Sequence, residues 1–299
     1  MAEVSSNHGR DLHRSLEFID VAASCGCAAV KFQLFRLEEL YSPEVLAKYP
    51  DHRKRKQWEL PVDFLPHLSE RCRERGVLFS CTPFYLDAVG ELFPYVAFYK
   101  IASYELLWTE LLQNCAKTGK PIVLSTGMAT LEEVDRAVVT LSESGCKNLT
   151  LLHCVSDYPA KPEEANLQVL DTLRNRYASE RIFPGELRVG WSDHTVSPQV
   201  LKRATERWGA SMIEFHLDLD GTGEEYSSGH CWLPDQIAGV IKGELDHQDL
   251  SPATVEPCDG DGAKNPSASE MRERPWRADP VDGLRPLREF RSNLEQIYW

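Results

Sequence analysis

The stretch VAFYKIASYELLWTELLQNCAKTGKPIVLSTGMATLEE, residues 96–133, decides the fold. It contains two short apolar runs, Val96–Ile101 and Pro121–Ser125. Each leads into polar residues: Lys100, Ser103 and Glu105 at the first, Ser125 and Thr126 before Gly127 at the second. Thr130 and Glu133 then form the T-x-x-E capping box of an amphipathic helix that ends before Gly145. A continuous apolar run followed by a helix is the repeating unit of a parallel sheet buried on both faces.

The unit recurs in both directions. Apolar runs lie at Ala28–Phe32, Val77–Cys81, Leu149–Cys154, Leu187–Trp191 and Ser211–His216, with a clipped eighth at Ala2–Ser6. Helices are predicted over Leu12–Ser24, over Pro61–Arg75 with Gly76 as C-cap, from Ser197 and Pro198 to near Gly209, and over Pro234–Lys242. Eight such units in about 240 residues favour an α/β fold of the closed (β/α)8 TIM-barrel type over a doubly wound sheet. No G-x-G-x-x-G follows the first run, which weakens a dinucleotide-binding alternative. The barrel is expected to span residues 1–245. A full strand takes about 5 residues, so the first is expected to be clipped by a truncated start or a mis-set initiation codon. After Gly243 the chain turns rich in Pro, Gly and charge without periodicity. Residues 246–299 are therefore expected to form an irregular C-terminal tail, not a second domain.

With 299 residues and 42% hydrophobic content, the chain can build one large core. A net charge of −13 leaves no electrostatic footprint for nucleic acid. Any anion site must be built locally from aimed Lys, Arg or backbone N–H groups. No apolar stretch is long enough for a membrane span, and MAEVSSNHGRD is not a secretory signal. The nine cysteines are scattered, with one C-x-C at Cys25 and Cys27, and read as buried thiols in a reducing cytoplasm.

A barrel builds its active site at the C-terminal ends of its strands. Those ends carry Glu3, Asn7 and His8; Lys31 and Gln33; Thr82; Lys100, Ser103 and Glu105; Ser125 and Thr126; His153, Ser156 and Asp157; Ser192, Asp193 and His194; Glu214, His216 and Asp218. Lys31 and Lys100 lie inside apolar runs, where a lysine is costly unless it is paired or serves a ligand. Two readings are open. Each lysine pairs with a carboxylate, Glu3 and Glu105 being available, or the two clamp a phosphate or carboxylate with hydroxyls from Thr82, Ser103, Ser125 and Ser192. His194 and His216 end consecutive strands, which lie about 5 Å apart. They can share one divalent metal at about 2 Å each, with Glu3 and Asp218 available to complete the shell. Open positions on such an ion suit Lewis-acid chemistry. Either histidine taken alone is more often a hydrogen-bonded structural residue, the pairing at matching strand ends brings the two readings level, and His153 is read as structural.

The strings AEVSSNHGRD, VKFQ, CTPF, YKIASYE, PIVLSTGM, LLHCVSDYP, WSDHT and EFHLD, in this order, resemble the sialic acid synthase family over residues 2–245. K-I-A-S-x-E, S-T-G-M and S-D-H-T are specific in combination. The resemblance implies a barrel enzyme that condenses phosphoenolpyruvate with an N-acylated amino-sugar aldehyde, N-acetylmannosamine-like, to give a nonulosonic acid and phosphate. It implies that His194 and His216 bind Mn or Mg, and that Lys31, Lys100, Thr82, Ser103, Ser125 and Ser192 hold phosphoenolpyruvate. It places Glu3, Gln33, Glu105 and Glu214 at positions that contact sugar or assist proton transfer. Glu3, Glu105, Glu214 and Lys100 are the expected catalytic groups, and Ser156 and Tyr158 are expected to touch substrate. Ser156 stands where sialic acid synthases proper carry Asn, and with A-S-Y-E it looks closer to the pseudaminate and spore-coat branch. A homodimer is also implied. The family's antifreeze-like C-terminal domain is not found, and Arg274, Arg277 and Arg285 of the tail are expected to act as a lid or dimer arm in its place.

The implied chemistry suits the residues. The enol carbon must attack an aldehyde and water must attack C2 before phosphate leaves, which needs fixed positive groups and a carboxylate that directs protons. Three rivals stand beside this reading. A sugar-phosphate acceptor would need a second anion site, for which Lys48–Lys56 (KYPDHRKRK) is the only basic cluster, otherwise a solvated loop. A metal-dependent hydrolase barrel would carry H-x-H after the first strand, which is missing. A non-catalytic barrel would serve as a binding or scaffold protein.

Overall fold

The computed structural model describes residues 1–178, 182–244 and 256–297. The boundary expected at 245/246 lies outside these residues. Nine strands occur among them: β1 (Ala2–Glu3), β2 (Ala29–Leu34), β3 (Leu78–Pro83), β4 (Phe98–Ile101), β5 (Ile122–Ser125), β6 (Asn148–His153), β7 (Glu186–Asp193), β8 (Ile213–Leu217) and β9 (Cys231–Trp232). All neighbours pair in parallel in chain order, and β1 also pairs with β8. Glu3 lies opposite Lys31 on one side and His216 on the other. Two rungs of β1 are thus enough to close the (β/α)8 barrel. The ninth strand, not foreseen, lies outside the ring on β8.

Eight helices follow the strands: α1 (Leu12–Cys25), α2 (Leu65–Arg75), α3 (Leu86–Leu92), α4 (Thr109–Lys117), α5 (Leu131–Glu143), α6 (Val169–Tyr177), α7 (Pro198–Glu206) and α8 (Pro234–Lys242). The Thr130–Glu133 capping box and the Ser197 cap form as read from sequence. The helix expected from Pro61 starts at Leu65 instead, after a 3₁₀ turn at Val62–Phe64. The reason is Pro66: lacking an N–H, it fits a first turn but not a helix interior. Gly76 caps the helix at φ +71°, where a side chain would be strained.

The strand period explains how a buried barrel comes to hold charges. Met1, Ala29, Phe98, Val123 and Leu152, with Met212 against them, form one apolar floor. Residues two apart share a face. The next inward positions are therefore Glu3, Lys31, Lys100, Ser125, Cys154 and Glu214, all buried. One layer is apolar and the next is ionisable.

Residues 256–297 return over the C-terminal end of the barrel in single helical turns. Leu294 and Ile297 complete a small apolar cluster with Phe35, Leu37, Leu40, Tyr41, Val45, Leu46 and Phe84. Arg285 forms a bridge with Tyr41 and exchanges backbone hydrogen bonds with Leu40 and Ser42. The nine cysteines are buried, and none forms a disulfide among the described residues. Among the described residues no helix is long and apolar enough to cross a membrane.

Candidate active site

Four charged side chains interlock at the first ionisable layer. Lys31 Nζ lies 2.7 Å from Glu3 Oε2, 3.4 Å from Glu214 Oε1 and 3.3 Å from the Thr82 hydroxyl. Lys100 Nζ lies 3.2 Å from Glu214 Oε2. The pairing reading therefore holds in this state, but Lys100 takes Glu214 and not Glu105. Gln33 donates to Glu3 at 2.5 Å and to Ser5 at 3.2 Å. Burial works against every charge here. For Glu214 it is outweighed by Lys100, Lys31 and His216, which hold the carboxyl below its ordinary range. Burial also opposes the charge on Lys31, yet Glu3 and Glu214 raise its pKa. Lys100 differs: burial, helped by Lys31, outweighs Glu214 and lowers its pKa. The two lysines are thus unequal, one a fixed cation and the other easier to deprotonate.

Beside this layer lies a pocket of hydroxyls. Ser103 Oγ accepts from Gly127 N–H at 2.9 Å and lies 3.3 Å from Cys154 Sγ. Ser125 Oγ and Ser156 Oγ are buried without a partner, and buried orphan hydroxyls mark a place where a ligand belongs. Gly127 is required here, because a Cβ would collide with the Ser156 hydroxyl and meet Cys154 Sγ at 2.9 Å and Ser103 Oγ at 3.0 Å. Ser192 sits beside Glu214 in the β7–β8 register.

The imidazoles of His194 and His216 face each other with ring centroids 5.5 Å apart. The ring of Tyr158 packs on His194 at 4.1 Å and edge-on to His216 at 5.9 Å. His194 Nδ1 is 2.6 Å from the Val155 carbonyl, and His216 Nδ1 is 2.9 Å from Glu225 Oε2. Holding Nδ1 in this way leaves both Nε2 atoms available, which is how ligating histidines are usually oriented. Burial, then His216, pushes His194 down to about 3 and keeps it neutral. The pair fits a shared divalent ion. Glu3 and Asp218 do not complete such a shell: Glu3 is committed to Lys31 and Gln33, and Asp218 to Arg14 and the backbone of Leu219 and Gly223. Asp193 accepts from Trp191, Trp232 and Thr195 and so fixes the turn that aims His194. His153 bonds the Ala165 carbonyl at 3.0 Å, consistent with a structural role.

The tail divides its arginines. Arg285 forms a short ion pair with the buried Glu105, so it reaches the site in cis. Arg274 and Arg277 do not; both bind Glu133 at the start of α5 and anchor the tail. Glu270, not foreseen, accepts from the N–H groups of Met128 and Ser156 at 2.7 Å each and so fixes two site loops. The basic loop is mostly solvated: Lys48, Lys54 and Lys56 make exposed pairs with Glu295, Asp51 and Glu38. Arg55 turns inward over Tyr41 and Trp58, as does His52, stacked on Tyr41, and both line the site mouth with Arg285. Glu225 and His230, beside His216, were also missed; the adjacent His230-Cys231 was the signal available in the sequence.

The fold is a closed (β/α)8 barrel whose strand ends gather buried ionisable side chains beside a buried histidine pair. The chain belongs to the NeuB family, whose profile matches residues 18–248. It is 33% identical to the N,N'-diacetyllegionaminic acid synthase of Campylobacter jejuni over 91% of this chain and 80% of that protein. The crystal structure of the spore coat polysaccharide biosynthesis protein SpsE from Bacillus subtilis superposes with a TM-score of 0.76 at 30% identity, covering 92% of this chain and 76% of that one. The N-acetylneuraminic acid synthetase of Leptospira borgpetersenii gives 0.72 at 30% identity, covering 91% and 88%.

Proposed function

We propose that this protein condenses phosphoenolpyruvate with an N-acylated amino-sugar aldehyde, giving a nonulosonic acid and phosphate. The observation that carries the reading is the pair of buried ammonium groups, Lys31 and Lys100, set beside the orphan hydroxyls of Ser125 and Ser156. An anion entering there shares desolvated ammonium groups with Glu3 and Glu214 and meets hydroxyl donors already in place. Lys31, Lys100, Thr82, Ser103, Ser125, Ser156 and Ser192 bind phosphoenolpyruvate; Gln33 and Tyr158 face the sugar. Glu214 and Glu3, each against an ammonium, direct protons at the reacting carbons, and Glu105 acts at the mouth with Arg285. His194 and His216 would hold a divalent ion, Mn or Mg, which when bound polarises the aldehyde carbonyl. The family's nonulosonic acid synthases support this reading.

The test is phosphate release from phosphoenolpyruvate with Mn over a panel of N-acetylmannosamine, its 6-phosphate, a 2,4-diacetamido-trideoxyhexose and arabinose 5-phosphate. Release with one amino sugar, lost in His216→Ala, supports the proposal. No release from folded, metal-loaded protein sinks it. A phosphorylated acceptor is the second reading, favoured by Arg55 and Arg285 at the mouth; release with a sugar phosphate, weakened in Arg55→Ala, would select it.

A further inference from the structure

The pair His194 and His216 uses one side of the His216 ring. A second group of donors surrounds the other side. β9 runs along β8 with Cys231 opposite His216. The short helix Glu224–Ser227, just before it, brings Glu225 back over the strand end. One carboxylate oxygen, Glu225 Oε2, then lies 2.9 Å from His216 Nδ1, 3.5 Å from His230 Nε2 and 3.9 Å from Cys231 Sγ. One ligand atom from each of these four residues lies within 4.8 Å of all the others. His216, His230 and Cys231 are buried, and His230 Nδ1 has no partner.

We propose that His216, Glu225, His230 and Cys231 form a transition-metal site that draws His216 away from His194, for a borderline-soft ion of the Zn²⁺ class. Four donors on a tetrahedral ion at about 2.0–2.3 Å stand about 3.4–3.8 Å apart, so the group needs to contract by about 1 Å. A carboxylate and a thiolate match the charge of a divalent ion, and the buried site becomes neutral. Imidazole and thiolate donors select Zn²⁺, Co²⁺ or Ni²⁺ over Mg²⁺ or Ca²⁺, which prefer oxygen shells. The bland alternative is that Glu225 only orients His216 by accepting from Nδ1–H. The two differ in how many donors bind the ion. The site shares His216 with the ion proposed above, so the two ions compete for that imidazole, and the test needs no substrate.

Metal-stripped full-length protein is titrated with Co²⁺ alone and followed by absorbance, with Zn²⁺ competition for affinity. The expected result is one Co²⁺ per chain with a thiolate-to-cobalt charge-transfer band and intense four-coordinate d–d bands. Cys231→Ser loses the charge-transfer band but still binds. His230→Gln weakens binding by more than about 100-fold, beyond the 10–100-fold that follows loss of an outer partner. His194→Ala keeps band and affinity. The proposal is overturned by a wild-type spectrum without the thiolate band, by a His230→Gln effect inside about 100-fold, or by loss of the band in His194→Ala. The wild-type spectrum tests the thiolate directly, so the outcome does not hinge on a variant folding.

Discussion

Replacing Glu133 with Gln should detach the tail's anchor while leaving the helix that carries it intact. Glu133 does two things: it closes the Thr130 capping box, and it holds Arg274 and Arg277 at 2.8–2.9 Å. Glutamine serves a capping box as well as glutamate does, so Glu133→Gln isolates the charge pairing. Burial raises the Glu133 pKa, but Arg274, the Thr130 N–H and Arg277 outweigh it and hold the carboxyl at about 2 against an ordinary 4.5. At 1.36 kcal/mol for each tenfold change in proton affinity, this favours the folded state by about 3 kcal/mol. The side chains of Glu133 and Arg277 are less than a tenth exposed, so solvent screening removes little of it. Because the folded pKa is depressed, the stabilisation is complete above 4.5 and fades as pH falls toward 2. Urea denaturation of wild type and Glu133→Gln is the assay. The wild type should be more stable by about 3 kcal/mol at pH 7 and by about 1–2 kcal/mol at pH 3. Equal stability at pH 7, or a gap that does not shrink on acidification, would refute the reasoning.

Three further outcomes follow from the site. Lys100→Met leaves Glu214 facing Lys31 alone and should lower kcat/KM for phosphoenolpyruvate by about 100-fold, on the order of 3 kcal/mol of transition-state stabilisation, as read by steady-state phosphate release. Gly127→Ala forces the Ser156 hydroxyl aside; it should cost about 1–3 kcal/mol of stability and weaken the thermal shift by phosphoenolpyruvate, and an unchanged thermal profile with and without ligand would count against the hydroxyl pocket. Arg285→Lys loses the guanidinium N–H that meets the buried Glu105. It should raise the sugar KM about 10-fold with the phosphoenolpyruvate KM unchanged, and an equal rise in both would place Arg285 outside the acceptor's surroundings.

The tail's role depends on joints far apart in sequence. Glu270 sits under the Met128 and Ser156 loops and Arg285 against Glu105, while Arg274 and Arg277 clamp Glu133. A segment without helical or strand periodicity thus packs through individual ion pairs and caps. No composition-based reading distinguishes that from a loose tail, because each joint is a single residue with no repeat to reveal it.

The sequence by itself determined the barrel and most of the strand-end residues. Those signals are local: a two-residue alternation that follows Phe98 with Lys100 and Met212 with Glu214, a capping box at Thr130, a helix stop at Gly76. Closure then brings every strand end to one mouth, so Glu3, Lys31, Lys100, Ser125 and Glu214 share a layer. Only the tertiary structure decided the partners. Lys100 takes Glu214, because they meet inside the ring, and Glu105 is left to Arg285, 180 residues away in the chain. Glu225 and His230 join His216 because a two-residue ninth strand docks on β8. A buried charge takes whichever opposite charge the fold brings within about 4 Å, and that distance is set by closure and packing, which no run of neighbouring residues encodes.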